Sequence, residues 1–348
     1  MRVAVIGGGW FGCHLASVLM EKGCEVVVFE KNPDLFLEAS YHNQCRLHLG
    51  FHYPRSKTTR DQIVTSFPRF LDRYEFCVNP VFDNLYGVAR ELSLVDFGTY
   101  CQVMAAHGLN FDVLSSEEIE HYGIQGVEGV VRVEERSVDA SKARAHFRTL
   151  LGDRVRYNCT VADLGVASHC VSVNGEQFDW CLNCTYDQQF PYRCVSVFYE
   201  PTLMLLYRVV RPLPFGALTI MDGDLPSLYP FPGEGSDVYS LSAVPYTPIM
   251  RTTSIAEARK VRDAVDEDFG RECRWKFEAL LGRFFPGYQM FIEYHGVTAA
   301  IKTKFPEKTG SRECVVGVEG KVIHAFSGKF NNAIVAEDRV CQILGLAG

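Results

Sequence analysis

The chain opens with a hydrophobic pattern that predicts a parallel β-α-β unit. RVAVIG at the N terminus is a β-branched apolar run typical of a buried parallel strand, and EVVVFE is a second run of this kind. Between them, CHLASVLMEKG has apolar residues at helical spacing and ends at Gly23. The turn before this helix has the spacing Gly7-x-Gly9-x-x-Gly12, and the second strand ends in Glu30.

This glycine turn predicts a dinucleotide-binding site. Gly7 permits the tight turn, Gly9 lets a pyrophosphate approach the backbone, and Gly12 lets the helix pack close to the strand. The N–H groups at the helix N terminus are free for the phosphates. Glu30 is placed to accept hydrogen bonds from the adenosine ribose, which disfavours a 2′-phosphate. NAD and FAD both remain compatible with the pattern.

Later segments have a different pattern. The aromatic-rich segments 78–100 and 193–248 alternate with period two and predict a large antiparallel sheet. A pair of helices is predicted from Ser254, where Ser254 and Glu257 have the spacing of a capping box. The segment 292–306 predicts a strand that leads the chain back to the first unit.

The run ASYHNQCRLHLGFHYPRS, residues 39–56, is dense in polar side chains that suit a metal, a catalytic cluster or a cofactor loop. Its histidines, His42, His48 and His52, do not share one face of a regular element, which disfavours a metal site. The 13 cysteines do not repeat at metal spacings, and Cys181 and Cys184 lie in an apolar run that predicts a strand. We therefore expect reduced thiols in a cytoplasmic protein.

Composition narrows the class of protein. The chain has 348 residues, 47% hydrophobic and 22% charged, which is ordinary for a globular protein of about two domains. The net charge of −7 argues against a nucleic-acid partner. No apolar run reaches the ~18 residues of a membrane span. The glycines within the first twenty residues favour mature structure over a signal peptide. Oligomeric state is not indicated.

The glycine unit, the pair Ala39-Ser40 after the acidic strand end and the segment LHLGFHYP (47–54) together resemble the D-amino-acid oxidase-type FAD-dependent oxidoreductases. That superfamily includes glycine oxidase, sarcosine oxidase and L-2-hydroxyglutarate dehydrogenase. The resemblance implies an α/β fold, with a Rossmann-like FAD-binding domain interleaved with an antiparallel-sheet substrate domain. The implied FAD-binding domain takes residues 1–75, 138–192 and 308–348, and the substrate domain takes 76–137 and 193–307.

The resemblance also implies where FAD is held. A strand at 154–165 would bring the chain back to the cofactor, on the adenine side of FAD. The strand at 178–186 would end beside the cofactor, although this chain lacks the glycine that the family usually has there. Asn331 or Asn332 would cap a last helix that points at the flavin, and a covalent histidyl–flavin bond at His48 stays open. The expected cofactor contacts are Gly7, Gly9, Trp10, Phe11, Gly12, Glu30, Lys31, Ser40, Arg46, Leu47, His48, Val161, Cys184, Thr185, Gly328, Lys329, Phe330, Asn331 and Asn332.

The implied activity is an oxidase or dehydrogenase that removes hydride from a C–H next to an amine or hydroxyl. The substrate would be a small polar molecule such as an amino acid, amine or hydroxy acid, and oxygen or another acceptor would take the electrons. Catalysis is expected from Arg46, His48, His52 and Lys302, and substrate contacts from Tyr53, Tyr229, Tyr246 and His295. A monooxygenase, a redox-neutral mutase-like flavoenzyme and a non-enzymatic dinucleotide-binding protein remain alternatives.

Overall fold

The computed structural model describes residues 1–306 and 313–346 of the chain. The strands are β1 (Arg2–Ile6), β2 (Glu25–Phe29), β3 (Arg46–Leu47), β4 (Val78–Pro80), β5 (Asn84–Ala89), β6 (Asp112–Val113), β7 (Val127–Val133), β8 (Arg136–Val138), β9 (Val155–Arg156), β10 (Leu164–Val166), β11 (Val171–Val173), β12 (Glu176–Phe178), β13 (Trp180–Asn183), β14 (Phe198–Val209), β15 (Ala217–Met221), β16 (Pro226–Pro230), β17 (Val238–Ala243), β18 (Ile292–Lys304), β19 (Val315–Glu319) and β20 (Val322–Phe326). The α-helices are α1 (Trp10–Glu21), α2 (Lys57–Tyr74), α3 (Phe97–Ala106), α4 (Ser116–His121), α5 (Ala140–Leu151), α6 (Ile255–Asp263), α7 (Glu267–Gly282) and α8 (Ala333–Leu344). No helix in this described part is long and apolar enough to cross a membrane.

A six-stranded sheet in the order β19-β20-β13-β1-β2-β9 holds the glycine turn. Its strands are parallel except for β19, which is antiparallel to β20. Val3 and Val5 pack with helices α1, α2, α5 and α8, whereas Ala4 and Ile6 pack against the small sheet β10-β11-β12 on the opposite face. Because both faces are covered, β1 has a continuous apolar sequence. The predicted β-α-β unit is confirmed.

The second large layer is an eight-stranded sheet in the order β18-β14-β17-β16-β15-β5-β7-β6. All neighbouring strands are antiparallel except β15 and β5. The longest ladder joins β14 to β18, from Phe198 opposite Lys304 to Val209 opposite Ile292. Phe277 and Leu281 of α7 pack against one face of this sheet. The predicted fold class is therefore confirmed.

A third small sheet, β3-β8-β4, joins segments that are distant in sequence. Arg46 lies opposite Ser137, so the polar run at 39–56 is held against the segment that follows β7. This pairing brings Glu135, the residue before β8, next to His48. The limits of the two predicted domains stay a prediction, and the limit at residue 308 lies outside the described residues.

Two sequence predictions of secondary structure are wrong. Segment 154–165 is not one strand, because the chain turns at Asn158 (φ 51°) and then forms a loop that Asn174 holds by bonds to Ala162 N and Thr160 O. The end of segment 78–100 is helical instead of extended. Asp96 caps α3 there by accepting a bond from Thr99 N at 2.8 Å.

The predicted helix caps have a mixed outcome. Ser254 caps α6 by accepting from Glu257 N. A capping side chain at the start of α8 was also predicted, and this is wrong because a 3-10 turn, Phe330–Asn332, precedes the helix. The Asn331 amide donates to Ser66 Oγ and the Asn332 amide to Ser327 Oγ, at 2.9 and 3.0 Å.

Replacing Gly12 by alanine should disrupt the packing of α1 on β1. A Cβ at Gly12 would lie 1.9 Å from the carbonyl oxygen of Gly7, so the helix and the turn would have to separate. We expect Gly12→Ala to lower the free energy of unfolding by about 3 kcal/mol, measured by urea unfolding followed by circular dichroism. Gly165→Ala is the matched control, since its Cβ would lie 3.6 Å from Ser172. Equal unfolding midpoints for the two variants would contradict this packing.

Candidate active site

A cavity of about 410 Å³ lies at the carboxyl ends of β1, β2, β13 and β20, where they meet strands of the eight-stranded sheet. This end of a parallel sheet is where doubly wound folds bind their ligands. The predicted cofactor residues on its wall are Gly7, Gly9, Trp10, Phe11, Glu30, Lys31, Ser40, Arg46, His48, Val161, Cys184, Thr185, Gly328, Lys329 and Phe330. His52, Tyr53 and Lys302 also line it.

The glycine turn forms one end of the cavity through close backbone contacts. Gly7 has φ +101°, and a Cβ there would lie 2.8 Å from the carbonyl oxygen of Cys184. The close approach of the two strand ends thus rests on Gly7 and needs no glycine at Cys184 or Thr185. Ser40 Oγ accepts a bond from Trp10 N at 2.8 Å and lies where a side chain on Gly9 would have to be. The segment after Glu30 is thereby fixed across the start of α1.

Glu30 presents a carboxylate at this end of the cavity. Its two oxygens accept bonds from Gly8 N at 2.6 Å and from Asn32 N at 2.8 Å. Burial raises the pKa of Glu30, and the two backbone N–H groups partly oppose this effect. Each carboxylate oxygen keeps further acceptor capacity for a ribose hydroxyl. Lys31, on the same wall, is held by Glu38 at 2.6 Å.

Four predicted cofactor residues lie behind the wall. Gly12 packs on the Gly7 carbonyl, and Leu47 is buried in the core beneath the six-stranded sheet. Asn331 and Asn332 are buried, and they tie the turn before α8 to α2 and to Ser327. These residues support the cavity from behind.

His48 lies on the cavity wall with a charged side chain near each of its ring nitrogens. Its Nε2 lies 2.6 Å from Lys329 Nζ, and its Nδ1 lies 3.6 Å from Glu135 Oε1. Burial holds the pKa of His48 well below its ordinary value, and the charges of Lys329 and Arg46 lower it further. The imidazole is therefore neutral at neutral pH.

Arg46 carries a buried charge beside His48. Its two terminal nitrogens donate to Tyr86 Oη at 2.8 Å and to Ser227 Oγ at 2.6 Å, and its guanidinium lies 4.0 Å from the ring centre of Tyr229. Tyr86 in turn donates to Glu135 Oε2 at 2.5 Å. Hydrogen bonds thus connect Arg46 to Glu135 through one tyrosine.

His52 and Tyr53 continue the polar wall. The His52 ring lies 5.5 Å from that of His48 and 5.2 Å from that of Tyr53. Burial holds the pKa of His52 well below its ordinary value, with further lowering by Arg46 and His48. Lys329 Nζ lies 5.1 Å from the centre of the Tyr53 ring. The wall therefore holds two neutral imidazoles beside cations.

The other predicted substrate residues do not line the cavity. Tyr229 is buried under Arg46. Tyr246 is 37% exposed and packs against Phe277. His295 lies beside Arg208, 3.4 Å away. These three side chains therefore lie outside the cavity wall and contact other protein side chains.

Sequence reasoning missed several polar groups. Glu135 is fully buried beside His48 and also accepts from Leu49 N at 2.8 Å. Asp222 lines the cavity and pairs with Arg55 at 2.5 Å. An acid after a strand resembles any solvent-exposed turn, so the sequence held no signal for Glu135.

The three histidines of the polar run separate in space. His42 Nδ1 lies 2.6 Å from Thr298 Oγ1 of β18, away from the pair formed by His48 and Lys329. In residues 1–306 and 313–346, no group of three His, Cys, Asp or Glu side chains is arranged to hold a metal ion.

The wall fits a dinucleotide with a reactive ring at its far end. The glycine turn leaves no space for side chains at the phosphate end, and Glu30 offers oxygens for a ribose. At the other end, Arg46, His48, His52 and Lys329 line the wall, and their side-chain nitrogen atoms suit the polar edge of such a ring.

Known proteins resemble the chain over nearly its whole length. The family described as DAO, FAD dependent oxidoreductase, matches residues 2–191. The FAD-dependent monooxygenase FPY4 of Fusarium mangiferae is 34% identical, over 98% of this chain and 90% of the relative. Glycine oxidase from Geobacillus kaustophilus has a TM-score of 0.72 at 14% identity, over 99% of this chain and 94% of the other. FAD-bound L-alpha-glycerophosphate oxidase from Mycoplasma pneumoniae has a TM-score of 0.74 at 15% identity, over 99% and 94%.

Replacing Glu30 by glutamine should weaken FAD binding. The substitution removes the charge and one acceptor oxygen at the ribose end, and hydrogen bonds to a charged group contribute enough for about a tenfold rise in Kd. The measurement is a fluorescence titration of the apoprotein with FAD. Glu25→Gln, at the exposed start of the same strand, is the control. Equal Kd values would show that the ribose binds elsewhere.

Proposed function

The chain belongs to the DAO family of FAD-dependent oxidoreductases, and we propose that it removes hydride from a C–H bond next to a hydroxyl or amine. The family match and the 34% identical relative confirm the resemblance seen in the sequence, and they confirm FAD as the cofactor. When bound, FAD would serve as the acceptor of the two electrons that leave with the hydride. The proposed substrate is a small polar molecule, and oxygen or another acceptor takes up the electrons.

The observation that carries the proposal is the neutral imidazole of His48 at the cavity wall. Removing hydride from a carbon that bears a hydroxyl also requires the hydroxyl proton to leave, and a group with a pKa at or below neutral can accept it. His48 is buried, neutral and next to Lys329. A hydroxyl-bearing carbon is therefore the preferred substrate class, and a neutral amine is the second.

The cations on the wall support a polar substrate. Arg46, Lys302 and Lys329 line the same cavity, and Lys302 reaches it from β18. We propose that Lys302 and Arg46 orient the polar end of the substrate, while Tyr53 contacts it beside Lys329.

Monooxygenation is the second candidate function. The observation in its favour is that the 34% identical relative from Fusarium mangiferae is named an FAD-dependent monooxygenase. A monooxygenase of that kind needs an external reductant before oxygen, whereas hydride removal reduces the cofactor with substrate alone. The two functions therefore differ in what reduces the holoenzyme.

The test mixes the anaerobic holoenzyme with panels of hydroxy acids, polyols, amino acids and amines, and separately with NADH and NADPH. We expect members of the hydroxyl panel to bleach the flavin band without nicotinamide, and the product to be a carbonyl compound without an atom from labelled oxygen gas. Bleaching by NADH or NADPH alone, with label in the product, would replace the proposal by monooxygenation.

The pH dependence of flavin reduction follows from His48. Its pKa lies below the ordinary value of 6.5, so the basic form is present through pH 6.5 and is lost only at lower pH. We expect the reduction rate to stay constant from pH 8 to about 6.5 and to fall below it. The free energy of unfolding should also decrease below about pH 6.5. The pKa values of His48 and His52 are lower in the folded state than in the unfolded state, so protonation of these histidines favours unfolding. A rate that already falls between pH 8 and 7 would contradict a neutral His48.

A further inference from the structure

The surroundings of His48 leave it no direct route to a substrate proton. Its Nε2 is covered by Lys329 Nζ at 2.6 Å, and its Nδ1 is buried and faces Glu135. Lys329 lines the cavity from the turn before α8. A proton that leaves a substrate in the cavity and ends on His48 therefore has to pass through the Lys329 nitrogen.

Glu135 places a carboxyl group 3.6 Å from His48 Nδ1, and it is fully buried. Its oxygens already accept from Tyr86 Oη and Leu49 N, and these two donors hold the carboxyl group in place. At 3.6 Å its Oε1 makes no hydrogen bond to the neutral ring. The attraction becomes strong only when His48 acquires a positive charge.

We propose that Lys329, His48 and Glu135 form a proton relay in which Lys329 is catalytic and Glu135 is a positioning residue. The relay rests on the proposed hydride removal. The Lys329 ammonium gives one proton to His48 Nε2, and the resulting amine takes the proton of the substrate hydroxyl. Lys329 ends as it began, the substrate has lost one proton, and His48 has gained it. Glu135 balances the imidazolium charge that exists only after the transfer.

The other groups around His48 act in the opposite direction to Glu135. Arg46 and Lys329 carry positive charge beside it, and the His52 and Tyr53 rings lie 5.5 Å from its own. Burial and these two positive charges keep the imidazole neutral before the reaction. Glu135 is the counterion that allows it to be charged for a limited time.

The first experiment titrates His48 in the FAD-bound protein by NMR of labelled histidine, with His48→Gln to assign the signal. The relay predicts that Glu135→Gln lowers the pKa of His48 further and that Lys329→Met raises it. Glu134→Gln, the exposed neighbouring acid, should leave the pKa unchanged. An unaltered pKa of His48 in both relay variants would overturn the proposal. If Glu135→Gln does not fold, Lys329→Met alone decides.

The second experiment measures anaerobic flavin reduction by a substrate that bleaches the wild-type protein. We expect Lys329→Met to slow reduction by about a hundredfold or more, and Glu135→Gln by about tenfold or more with little change in KM. Rates equal to that of Glu134→Gln would overturn the relay, even if the pKa of His48 has moved. If no substrate bleaches the wild-type protein, hydride removal fails, whereas opposite pKa changes in the two variants would still support the coupling of the three groups.

Discussion

The buried positive charge of Arg46 is the constraint around which the histidine-bearing half of the cavity is built. The side chain is 3% exposed, and burying an unpaired charge is costly. The protein meets this cost with two hydroxyl acceptors, Tyr86 and Ser227, and with the ring of Tyr229 beneath the guanidinium. Tyr86 in turn donates a hydrogen bond to the carboxyl group of Glu135.

Several strands are fixed by this one charge. Arg46 lies on β3, Tyr86 on β5 and Ser227 on β16, and Glu135 lies just before β8. The network therefore joins the polar run beside the glycine turn to the eight-stranded sheet. The same network determines the electrostatics of His48, since it places Glu135 on one side of the imidazole and leaves Lys329 on the other.

The sequence reveals the parts of this site that are local. Gly7, Gly12 and Glu30 stand within one β-α-β unit, and their spacing predicts both the turn and a dinucleotide as its ligand. His48 and His52 stand out because they lie close together in one short run. Glu135 does not, because only the pairing of β3 with β8 brings it to His48 across 87 residues of chain. Tyr229 was predicted at the substrate because aromatic residues of a sheet give no sign of which face meets a buried arginine.

The turn before α8, Phe330–Asn332, also depends on contacts between segments that are distant in sequence. The sequence predicts a polar turn before a helix, and asparagine is a common cap there. In the fold, α2 passes behind this turn, and Ser66 and Ser327 accept the asparagine amides. Competition from a neighbouring helix is a tertiary effect that the spacing of residues does not encode.

The proposed function requires that the substrate C–H bond breaks with its hydrogen leaving as hydride. The most direct measurement is anaerobic stopped-flow reduction of the holoenzyme with a substrate whose reacting C–H is replaced by C–D. If hydride leaves the substrate, the flavin band bleaches without nicotinamide and deuterium slows the bleaching severalfold. Bleaching that requires NADH or NADPH and does not respond to deuterium in the substrate would contradict it.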